Sequence, residues 1–159
     1  MLVAVACWKQ RTTYFWLCSF FGTIWQLVCN WLGVGSADPS ILADHFLQFG
    51  NSSGHVKPMT VFMSLIWFSS AMIIWKERND RIFRGKPKYP LHLLENIKLL
   101  SFWWFKTKFV VFLYEFYNLC HSPFLCLGIG QVLFDTAELL LYFLAFFPRT
   151  SCARKIVCC

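Results

Sequence analysis

Apolar positions along this chain recur every three or four residues and hardly anywhere alternate, which is the pattern of helices packed on one face rather than of strands. In CSFFGTIWQLVCNWLG, residues Phe21, Trp25, Val28 and Leu32 fall at i, i+4, i+7 and i+11 on one stripe, and Gly33 follows as a residue suited to the left-handed turn that stops a helix. ADPSILADHFLQFG predicts a second helix. Asp38 is placed to accept backbone N–H groups as N-cap, Pro39 is preset for the first helical position, Leu42, Phe46 and Phe49 form the inner stripe, and Gly50 marks the end. NSSGHVKP, Asn51 to Pro58, reads as a loop.

A third helix is expected from about Met59 to Phe83. It is apolar almost throughout as far as Trp75 and amphipathic beyond, with Trp75, Ile82 and Phe83 on the inner face and Lys76, Glu77, Asp80 and Arg84 turned to water. GKPKYP, Gly85 to Pro90, supplies a helix stop and a helix start, and a fourth helix from Leu91 to about Asn118 repeats apolar residues at Leu93, Ile97, Leu100 and Trp104. The two long helices form an αα-hairpin that buries Trp67, Trp75, Trp103 and Trp104 if its core lies between them. The fold class that follows is all-α, with four to six apolar or amphipathic helices, a central hairpin and no persistent sheet. A length of 159 residues suits one domain with a real core.

Composition complicates that picture, because 57% of residues are apolar, 19% aromatic and only 14% charged. The net charge of +7 is concentrated: Lys76 to Lys108 holds nine Lys/Arg against Glu77, Asp80 and Glu95, or +6, while residues 1–75 contribute +1 and the chain from Phe109 onward is balanced. Eight cysteines include no C-x2-C pair and no His at zinc-finger spacing, so neither a zinc site nor a disulfide scaffold is implied, and a reducing compartment is the simpler expectation. The start MLVAVACWKQR lacks the basic region that precedes a signal peptide's apolar core. The closing Cys158-Cys159 pair does not satisfy a C-a-a-X prenylation pattern.

Candidate chemistry is sparse. Asp44 and His45 are adjacent, hence about 100° apart on a helix, and are read as a surface pair rather than an acid/base couple. Cys120-His121 near Cys126 has no orienting group or oxyanion donor in sequence, and Gly128-Ile129-Gly130 lacks the rest of a phosphate loop. No cofactor is implied. The basic segment is the one site with a chemical case: Arg78, Arg81, Arg84, Lys86 and Lys88, beside Tyr89, have the charge to contact phosphates and a ring to stack a base. The plainer reading, preferred here, is that Arg78 and Asn79 fix the helix end while the lysines keep the turn in water.

IWKERNDRIF, Ile74 to Phe83, closely resembles the W-K-E-R-N-x-R-I-F pattern found late in plant non-LTR (LINE-type) retrotransposon reverse transcriptases, and the residues that carry the likeness are Trp75, Arg78, Asn79, Ile82 and Phe83. CSFFGTIWQLVCNWLGV, Cys18 to Val34, resembles the end of the zinc-binding region of those proteins, and LLENIKLLSFWWFKTKF, Leu93 to Phe109, the segment after the motif. The resemblance spans residues 18–129, leaving 1–17 and an apolar, cysteine-ended 130–159 unmatched. It implies a helical scaffold from the family's C-terminal region. It does not imply activity, since Thr13 stands where the zinc region's His is expected before Cys18, the upstream C-x2-C pair is missing, and one thiol cannot supply four zinc ligands. The eight carboxylates are scattered, whereas two-metal nucleotidyl transfer needs them gathered about ions ~3.5–4 Å apart. The expectation is therefore a non-catalytic remnant. A small transmembrane protein is the alternative, inserted through the charge-free runs Thr12–Ala37 and Pro58–Trp75, and a weak, nonspecific RNA-binding module is the third reading.

Overall fold

A computed structural model describes residues 19–35, 42–52, 57–108 and 114–127. Helix α1 covers Ser19–Leu32, α2 Leu42–Asn51, α3 Lys57–Arg84, α4 Pro90–Lys108 and α5 Phe116–His121, followed by a 3-10 turn at Pro123–Leu127. No strand occurs among the described residues, so the all-α expectation holds. The expected cap at Asp38-Pro39 and the segments 1–17 and 130–159 lie outside them.

The first stripe is buried as its spacing predicts: Phe21, Trp25, Val28 and Leu32 are all inside, joined by Ile24 and Cys29. Gly33 has φ +66 and ends α1, with Val34 N–H donating to the Cys29 carbonyl, a left-handed stop that a side chain would strain. Gly85 does the same for α3 at φ +62. Helix α2 runs one residue past Gly50, where α3 comes close enough that a Cβ on Gly50 would sit 3.9 Å from the Thr60 methyl.

Helix α3 is the central element, packing along α4, against α2 and on α1. Its partnership with α4 is an antiparallel hairpin: the Phe62 and Phe105 rings stack at 4.6 Å near the open end, and Glu77 meets Lys88 beside the turn. The inner face of α3 runs through Phe62, Ile66, Ser70, Ile74 and Glu77. That of α4 runs through Leu94, Ile97, Ser101 and Phe105, while Leu100 and Trp104, expected inside, are half-buried.

Three expectations are corrected by this geometry. Phe83 is 64% exposed and Trp75 half-buried, so the inner face of late α3 is not the one expected; continuing the stripe from Ile74 by three and then four residues turns Glu77 and Arg81 inward instead. Of the four tryptophans assigned to the hairpin core only Trp67 is buried, and Trp103 faces solvent. The fourth helix does not run through to Asn118. Glu115 is extended at φ −84 and ψ 162 and its carbonyl accepts the first N–H bonds of α5, which lets Leu119 bury and Phe116 pack edge-on against Phe102. Trp31 ties this return to α1 by donating its indole N–H to the Leu119 and Cys120 carbonyls at 3.2 and 3.1 Å.

Candidate functional site

The basic segment begins on the last turns of α3 and continues through the five-residue connection to α4. Successive steps of three residues rotate Arg78, Arg81 and Arg84 by about 60° each, so the three guanidinium groups fan around the helix rather than line one face. Arg81 is inside the fold: its Nε donates to Glu77 Oε1 at 2.8 Å, its Nη2 donates to the Lys88 carbonyl at 3.0 Å, and its guanidinium carbon lies 3.6 Å above the Phe20 ring. Lys88 reciprocates by donating its backbone N–H to the same Glu77 oxygen at 2.8 Å. One carboxylate oxygen thus fastens the end of α3 to the connection that leads into α4, and one arginine fastens both to α1.

Glu77 is 1% exposed, and its Oε2 has no hydrogen-bond partner among the described residues. A carboxylate is tolerated there because Arg81 neutralises it at contact distance. Arg84 is mostly in water and holds Asp80 at 3.5 Å, a surface pair of small energetic weight. Lys86 is exposed, while Arg78, Asn79 and the Lys88 side chain are half-buried. The expectation that Arg78 and Asn79 fix the helix end gives way to Glu77 and Arg81. Glu77, assigned to the wet face by its charge, is the residue that sequence reasoning missed. Two signals pointed to it: a Glu four residues before an Arg is the favourable helical order, and Glu77 lies in phase with Ile66, Ser70 and Ile74.

The second polar feature of the interior is His45, expected at the surface and found buried. Trp67 Nε1–H donates to His45 Nδ1 at 2.8 Å, so Nδ1 is an acceptor and the ring carries its proton on Nε2. Trp25 packs edge-on to the imidazole at 4.7 Å and Phe49 stacks at 6.2 Å, making a joint of α1, α2 and α3. The cavity beside His45 and Cys29 is ≈ 20 Å³, room for about one water and for no substrate.

The thiols near the return are poorly suited to nucleophilic work. Burial raises Cys126 to about 11. Burial also raises Cys120, with Lys98 lowering it and Glu95 raising it to lesser extents. His121 stacks on Tyr117 at 4.1 Å in the exposed part of α5. Among the described residues no three His, Cys, Asp or Glu side chains are grouped as metal ligands. Helix α3 contains a 24-residue stretch, Pro58–Arg81, long and apolar enough to cross a membrane, and most of its apolar window is buried against the protein's own helices. No family model, curated protein or solved structure matches the chain.

Proposed function

We propose that residues 18–129 are a non-catalytic helical remnant of the C-terminal region of a plant LINE-type reverse transcriptase, acting as a packing scaffold without biochemical activity of its own. The observation that supports a scaffold is the use made of the motif: in WKERNDRIF, Glu77 and Arg81 are spent on the α3–α4 turn and on Phe20 of α1. A motif whose charges are consumed by internal bonds has fewer to offer a substrate or a template. Purified chain given Mg²⁺, primer, template and nucleotides is expected to show no polymerase or nuclease activity above background. Activity abolished by one Asp or Glu substitution would overturn the proposal, and reverse-transcriptase segments flanking the gene in the same orientation would support the ancestry.

A transmembrane protein is the second reading, favoured by the length and apolarity of Pro58–Arg81. The burial of that stretch against α2 and α4 supports a core helix instead, because a spanning helix of a small protein would turn much of this surface to lipid.

A further inference from the structure

Helix α4 buries one side and leaves the other with an apolar stripe that none of the described elements covers. Leu91, Leu99 and Trp103 are exposed at multiples of four along it, and Tyr89, 84% exposed, stands just before its first residue. Cations border both ends. Lys86 is exposed in the turn, and at the other end Lys106 Nζ lies 5.8 Å from the Trp103 ring. Residues 85–108 contain five lysines against the single carboxylate Glu95, a net +4. Glu95 falls on the same stripe but is paired with Lys98 at 2.8 Å, so it does not reverse the sign of the face.

We propose that the exposed face of α4 docks on an anionic lipid surface, with the helix lying in the plane of the interface. The chemistry selects this occupant from three. Leu91 and Leu99 are aliphatic, of use to acyl chains and of little use to a nucleic acid, whose bases stack on rings. Tyr89 and Trp103 are amphipathic rings of the kind that sit at headgroup depth, and Lys86 and Lys106 can reach phosphates from there. A second copy would bring its own lysines against these, and like charges at close range oppose self-association. The nineteen residues of α4 give about 28 Å of helix, long enough to lie across several headgroups. This surface is independent of the charge-free runs considered for insertion and spans nothing.

The test is co-sedimentation of the full chain with phosphatidylcholine vesicles made with and without phosphatidylserine, at low and physiological salt. Binding is expected to the anionic vesicles, to weaken with salt, and to fall about tenfold or more in Leu99→Glu/Trp103→Glu. Both side chains are exposed, so the helical circular dichroism of that variant should match the parent. Should it not fold, Lys86→Gln/Lys106→Gln removes only charge from the two ends and should reduce anionic binding while leaving weak neutral binding unchanged. Equal binding of both variants and parent, equal binding to neutral and anionic vesicles, or no vesicle binding would each overturn the proposal. So would loss of single-stranded RNA binding, rather than vesicle binding, in the Leu99/Trp103 variant, which would assign the face to nucleic acid.

Discussion

At the scale of single residues, the energetic weight of the basic segment rests on an acidic one. Glu77 is buried with two donors on one oxygen, so Glu77→Ala would strand the Lys88 N–H and leave Arg81 without its counter-charge. Breaking a buried pair costs about 3–5 kcal/mol, and because Arg81 keeps 17% of its side chain in water the lower end, about 3 kcal/mol, is expected in denaturant melts. Glu77→Gln keeps an acceptor oxygen and loses only charge assistance, for about 1–2 kcal/mol. A Gln variant as damaging as the Ala variant would mean that charge, not the tie across the turn, is what Glu77 contributes. The tryptophans divide by burial in the same way. Trp67→Ala empties a core site and strands the His45 acceptor, at about 3–5 kcal/mol, whereas the half-buried Trp75 should cost clearly less and the exposed Trp103 under about 1 kcal/mol. A melt in which Trp103→Ala ranks above Trp67→Ala would contradict the packing described.

At the scale of elements, the α3–α4 hairpin was legible because its signals are local: two apolar periods, a glycine stop and a proline start need no knowledge of neighbours. Gly85 and Pro90 serve in those roles. What could not be read locally was the face presented at each end, since a helix of 3.6 residues per turn lets a stripe drift and only the partner fixes where it finishes. Glu77 and Phe83 exchanged places for that reason. His45 was hidden similarly, because its adjacency to Asp44 suggested water while its partner, Trp67, lies on another helix. The turn gives two predictions at this scale. Gly85→Ala must hold a Cβ at φ +62 and should cost about 1–2 kcal/mol. Arg84→Gln/Lys86→Gln/Lys88→Gln removes three charges while leaving the backbone N–H and carbonyl of Lys88 in place, so circular dichroism and melting midpoint should stay nearly unchanged. If the segment is instead an RNA site, the same triple variant should bind RNA more weakly and flatten its salt dependence by up to ~0.7 per lost contact.

At the scale of the whole molecule, an interior built from aromatic rings and buried thiols makes the folded state testable through cysteine chemistry. Cys126 is buried with its pKa raised to about 11, so almost none of it is thiolate at neutral pH, and only thiolate reacts with an alkylating agent. The folded chain treated with iodoacetamide near pH 8 should modify Cys126 slowly and Cys120, only half-buried, faster; in guanidinium the two should react alike, as peptide mapping can measure. The alkaline response follows from the same shift. With a folded pKa above the unfolded value of 9.0, the native state retains this proton longer, so the stabilisation is complete below 9.0 and is lost as pH rises toward about 11. A Cys126 contribution that stayed flat across that window would place the thiol in water, because its folded and unfolded values would then coincide. Rapid alkylation of Cys126 from a membrane-bound preparation, together with retention after carbonate extraction and protease protection of Pro58–Trp75, would instead mean that α3 leaves the helical core to lie in lipid, because the core that shields this thiol and the core that shields α3 are one cluster.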